Sequence, residues 1–110
     1  MKVSVWALAL SLLGSAAAAQ DKPLVIPQVE GARQGRIVGR AIACGVGQDR
    51  TGSAIAANRQ RMLATVGAAF TEDRYLPALN EALSFETSLP KPSDTACAKA
   101  EKEFEALEAR

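Results

Sequence analysis

The chain has 110 residues, 13 basic and 12 acidic side chains, a formal net charge of +1, two cysteines and no histidine. That length suits one small domain. The missing histidine excludes a histidine-based catalytic triad, a histidine-ligated metal and a haem-attachment motif, and near-neutral charge gives no basic footprint for nucleic acid.

The chain opens on a secretory signal pattern. Lys2 supplies a positive start, Val3–Leu13 is an apolar run too short to span a bilayer, and Ala17, Ala18 and Ala19 are small residues suited to signal peptidase. Residues 1–19 are therefore read as a signal peptide cleaved after Ala19. The short charged start and alanine-rich cleavage site point to a bacterial periplasm. No later stretch is long and apolar enough for stable membrane insertion. Export makes a disulfide the expected state of Cys44 and Cys97, and two cysteines allow one intramolecular pairing. The core is small and alanine-rich, so such a staple matters, and closing a loop of this length contributes about 4 kcal/mol.

Residues 20–29 carry Pro23 and Pro27 around the apolar tripeptide Leu24, Val25 and Ile26. Two prolines so close predict an extended N-terminal arm, either folded back on the domain or docked on a partner. Residues 30–110 read as a helical domain. The first helix is expected over Glu30–Val46, with Ile37, Val38, Ala41, Ile42 and Cys44 on one face and Gly45 and Gly47 as its stop. The second is expected over Ser53–Phe70, capped by Thr51 or Ser53, with Ile55, Met62, Leu63, Val66 and Phe70 inward. Thr71 is expected to cap the third, which runs to Glu86 with Tyr75, Leu76, Leu79, Ala82 and Leu83 on its apolar side. Leu89–Pro92 breaks the chain. Ser93 or Asp94 then caps a fourth helix through Ala109, with Cys97, Ala100, Phe104 and Leu107 on one stripe. The expected fold is all-α: a small antiparallel bundle of about four helices with one disulfide and an extended N-terminal arm.

Charge is divided along the chain. Arg33, Arg36, Arg40, Arg50, Arg59 and Arg61 make the first half basic, while acids predominate after Glu72. A Cys44–Cys97 bridge lets the first and last helices run antiparallel away from it. Arg40 then lies level with Glu101, Arg36 with Glu105 and Arg33 with Glu108, which predicts an interhelical salt-bridge ladder over an Ile37–Phe104 contact. The alternative use of the Arg33, Arg36 and Arg40 stripe is an anionic partner. By helical angle Arg59 falls among Ile55, Met62, Leu63 and Val66. It either snorkels past the helix end or is partly buried against an acid such as Glu81 or Glu86, or against a ligand carboxylate.

No nucleophile–base pair, phosphate-binding glycine loop or calcium-loop spacing is present, so neither catalysis nor a metal or cofactor is expected. The exported helical chain, with two cysteines about fifty residues apart and the run Thr95-Ala96-Cys97-Ala98, resembles in outline the small periplasmic acid-stress chaperones of bacteria. That resemblance implies acid-driven opening of the bundle and binding of unfolding clients. The residues themselves point first to a non-catalytic adaptor or accessory subunit with a protein partner, and third to a small-anion binding protein. The candidate interaction residues are Leu24, Val25 and Ile26 in the arm, and Arg33, Arg36, Arg40 and Arg59.

Overall fold

The computed structural model describes residues 25–67 and 72–110. These form four helices, α1 (Pro27–Ala43), α2 (Gln48–Val66), α3 (Glu72–Ser88) and α4 (Asp94–Glu108), with no strand among the described residues. The chain is a small all-α bundle closed by a Cys44–Cys97 disulfide, whose α-carbons are 5.4 Å apart. Among the described residues no helix is long and apolar enough to cross a membrane. The signal segment, Leu24, Phe70 and Thr71 lie outside the described residues.

Helix α1 starts and ends three residues earlier than its apolar pattern suggests. Pro27 begins it rather than breaking the chain: at the first helical position its missing N–H has no partner to lose. Ile26 precedes it in extended conformation, and its carbonyl accepts from the Glu30 N–H at 3.0 Å. The extended arm therefore gives way to helix at Pro27. Gly45 then stops α1 at φ +97°. Its N–H donates to the Ile42 carbonyl and that of Val46 to the Ala41 carbonyl, at 3.0 and 2.9 Å. This Schellman arrangement leaves Val46 outside the helix but against the core.

Helix α2 starts five residues before the expected Ser53. Extended Gly47 precedes its first turn, and its carbonyl accepts from the Thr51 N–H at 3.1 Å. Thr51 caps nothing: it is buried within the helix, with its hydroxyl donating to the Gln48 carbonyl at 3.2 Å. Gly67, at φ +65°, ends α2. Helix α3 continues through Pro77, which has no N–H to give to the helix and whose side chain is exposed. Ser93 caps α4 as expected, its hydroxyl accepting from the Ala96 N–H at 3.2 Å.

Packing centres on α1. The disulfide and the shared core run α4 antiparallel to it. On the other side Gly31, Gly35 and Gly39, four residues apart, turn one bare face to α3. A β-carbon at Gly31 would strike the Tyr75 carbonyl, and one at Gly35 the Leu79 carbonyl. At Gly39 it would lie 2.8 Å from the Glu86 β-carbon. These partners advance with α1, so α1 and α3 lie parallel with their backbones nearly touching. Glycine permits that approach, and the resulting contact replaces side-chain interdigitation. One core cluster gathers Val38, Ala41, Ala54, Phe104 and Leu107 from α1, α2 and α4. A second gathers Met62, Tyr75 and Leu79 from α2 and α3, with Val25 folded against it.

Candidate functional site

Three buried polar side chains, Gln34, Thr51 and Asn58, interrupt the apolar faces. Burial of an amide is tolerated only with hydrogen bonds, and both amides have them. The Tyr75 hydroxyl donates to Gln34 Oε1, and Gln34 Nε2 donates to Glu30 Oε2 at 3.2 Å. Arg33 grips the same carboxylate with two nitrogens, at 2.9 and 3.1 Å. Asn58 Nδ2 donates to the Ala54 carbonyl at 2.8 Å and to the Leu107 carbonyl at 3.4 Å, while Arg61 donates to its Oδ1 at 3.3 Å. Sequence reading missed Gln34 and Asn58. The available signal was their position: Gln34 lies four residues before Val38, and Asn58 four before Met62.

The Arg33 hydrogen bonds hold the Glu30 carboxyl below the usual glutamate range, against the opposing effect of partial burial. The folded form therefore favours the ionised carboxylate. Its contribution to stability is present above the unfolded glutamate pKa, about 4.3, and is lost as pH falls through the lower folded value. Glu30→Gln is expected to unfold at lower denaturant than the parent at pH 7, with the difference shrinking below about pH 4. Urea titrations at both pH values test this, and a gap that persists unchanged in acid contradicts it.

Two grooves adjoin these residues. The first, about 350 Å³, lies between the start of α1 and α2. Val25, Ile26, Val29 and Met62 form its apolar walls, Gln34 and Asn58 its polar floor, and Arg61 and Arg110 its rim. Val25 is half-buried, whereas Ile26 and Val29 are 47% and 60% exposed. Of the arm's apolar residues, Val25 thus turns onto the protein and Ile26 outward.

The second groove, about 410 Å³, lies between α1 and α4. Arg33, Arg36 and Arg40 line one side, and Glu103 and Arg110 the other, with Ile37, Ala106 and Leu107 as apolar lining. The expected salt-bridge ladder does not form here. Arg40 lies 3.6 Å from Glu86 and 3.8 Å from Glu103, Arg33 pairs with Glu30, and Glu108 pairs with Arg50 of α2 at 2.7 Å. Among the described residues no carboxylate lies within ion-pair distance of Arg36. Rotation of α4 is the cause. Burying Ala100, Phe104 and Leu107 turns Glu103 toward α1 and carries the stripe of Glu101, Glu105 and Glu108 to the α2 side, where all three act on Arg50. The Arg50 guanidinium also lies 5.2 Å from the centre of the Phe104 ring.

Arg59 is exposed and does not belong to the buried face of α2. That face is Thr51, Ala54, Asn58 and Met62, whereas Leu63 is half-exposed. The expected face of Ile55, Met62, Leu63 and Val66 shares only Met62 with this buried face, which is turned away from Arg59. The charge of Arg59 still reaches the Tyr75 hydroxyl, whose pKa burial pushes up. Neither Glu81, which is exposed, nor Glu86, which faces Arg40, forms the buried pair considered for it. Among the described residues no group of three or more potential ligands is placed to hold a metal.

No protein-family model, curated protein or solved structure matches this chain.

Proposed function

We propose that this is an exported, non-catalytic protein that works by holding a partner protein, as an adaptor or accessory subunit in the periplasm. The exposed apolar lip of Ile26 and Val29 beside Met62 carries this reading. Two large aliphatic side chains at the mouth of a groove lose contact with water when a partner's apolar side chain enters it. The disulfide and the signal pattern in residues 1–19 support export.

The test is crosslinking of the tagged protein in its own cells at neutral pH, followed by purification and identification of what stays bound. One partner at fixed stoichiometry is expected, and Val29→Asp, at an exposed helix position, is expected to reduce its recovery at least tenfold. Equal recovery with Val29→Asp removes the lip from the reading.

A second reading, an acid-stress chaperone, is favoured by one observation. Glu30, tied to Arg33 and Gln34, lines the apolar groove. Its protonation releases both side chains and loosens the groove wall. On this reading the protein suppresses client aggregation near pH 2 to 3 and not at pH 7. Suppression absent throughout that range eliminates the chaperone.

A further inference from the structure

We infer that the groove between α1 and α4 binds an acidic peptide segment of a partner protein, so that the arginine stripe reads carboxylates on the partner; this rests on the interaction reading above. Arg33, Arg36 and Arg40 follow one line along α1. At 1.5 Å of rise per residue, their α-carbons are spaced by about 4.5 and 6 Å along the helix axis, about 10.5 Å in all. Three guanidinium groups along such a row can meet more than one carboxylate of a partner. A chain with carboxylates on alternate residues repeats at about 6.8 Å when extended and can follow it.

Half-buried Ile37 and exposed Ala106 add apolar lining, which suits aliphatic side chains or stems between the charges. Glu103 lines the opposite wall, and Arg110 sits at one end. Of the α4 acids, Glu103 alone lines the groove, against Arg40; Glu101, Glu105 and Glu108 face Arg50 across the other side of α4. Arg33 and Arg40 already have carboxylate partners of their own. Arg36 is exposed, at the middle of the row, and makes no ion pair among the described residues. A guanidinium offers a planar fork of donors that matches a carboxylate edge, so Arg36 is the anchor. Glu30 beside Arg33, and Glu86 and Glu103 beside Arg40, break up the positive field that a flat anionic membrane needs, whereas a peptide can set one carboxylate at Arg36 between them.

The probe is a short fluorescein-labelled peptide of alternating glutamate and leucine, titrated with the disulfide-intact protein and followed by anisotropy. Saturable binding is expected, weakening with added salt and at least tenfold weaker in Arg36→Glu. Arg74→Glu, an exposed arginine on α3, is expected to leave it unchanged. Circular dichroism establishes that each variant remains helical, and Arg36→Gln gives a second variant that removes the charge without reversing it. The groove assignment is overturned by any of four results: no binding, undiminished binding in both Arg36 variants, equal binding of a control peptide with glutamine in place of each glutamate, or stronger binding of anionic vesicles than of the peptide. Recovery of the cellular partner separates the two readings. If Val29→Asp loses it and Arg36→Glu keeps it, the acidic-segment inference fails while the interaction reading stands.

Discussion

Replacing Gly35 by alanine destabilises the protein, although alanine is the better helix former. Within a helix the exchange is worth up to about 1 kcal/mol in favour of alanine. At Gly35 the new methyl would strike the Leu79 carbonyl and lie 2.9 Å from the Ala82 β-carbon. Backbone cannot swing aside as a flexible side chain does, so α1 and α3 must separate along the contact. Overpacking of this kind costs typically about 1–3 kcal/mol. For a domain this size each 1 kcal/mol lowers Tm by about 4–8 °C. The expected result is a fall of several degrees for Gly35→Ala and failure to fold stably for Gly35→Val. Gly52→Ala is the internal control. Gly52 is exposed on α2, and its added methyl meets nothing within 4 Å. That change is expected to raise Tm slightly. Thermal melts of the two alanine variants should move in opposite directions, and parallel shifts would show that the bare face of α1 is not what holds α3.

The double variant Cys44→Ser, Cys97→Ser carries the second large effect. The bridge joins positions 53 apart in sequence and ties the end of α1 to the start of α4. Cutting it restores loop entropy to the unfolded chain worth about 4 kcal/mol. Typical domain stability is about 5–15 kcal/mol, so a protein with this small core retains little. Around the bridge, α4 is held chiefly by Phe104 and Leu107 in the core and by the Arg50–Glu108 pair. The expected result is a large drop in urea midpoint for the serine variant, and the same drop for the parent protein under reductant. A midpoint unchanged in both would place the stability elsewhere than in this staple.

The two predictions concern features of different visibility in the sequence. The cysteine pairing was legible because two cysteines admit one intramolecular bond. The helices were legible because apolar residues recur at the helical period, and Gly45 and Ser93 mark a stop and a start through local backbone chemistry. The starts of α1 and α2 were misplaced because Pro27 and Gly47 each admit either a break or a helix start. Which occurs depends on what the following turn packs against.

The sites were legible only as candidates. Arg33, Arg36 and Arg40 stand out as a stripe, and the disulfide sets their level against α4 closely enough that Arg40 does meet an acid there, Glu103 rather than Glu101. The choice between those two is a rotation about the α4 axis. Nothing local determines it: Phe104 and Leu107 turn inward between α1 and α2, and the charged residues follow. Val25 and Ile26 were likewise visible as an apolar pair, but only packing against Met62, Tyr75 and Leu79 decides which of them is covered.

By itself, then, the amino-acid sequence determined helix content, the covalent staple and the set of charged and apolar stripes, because each depends on residues near one another or on a unique chemical pairing. The tertiary structure alone decided that Gly31, Gly35 and Gly39 admit α3 as a parallel neighbour. It also turned the glutamate stripe toward Arg50 and left the arginine stripe facing an open groove. Those outcomes follow from how whole helices rotate to bury their largest side chains, a balance struck over the entire core.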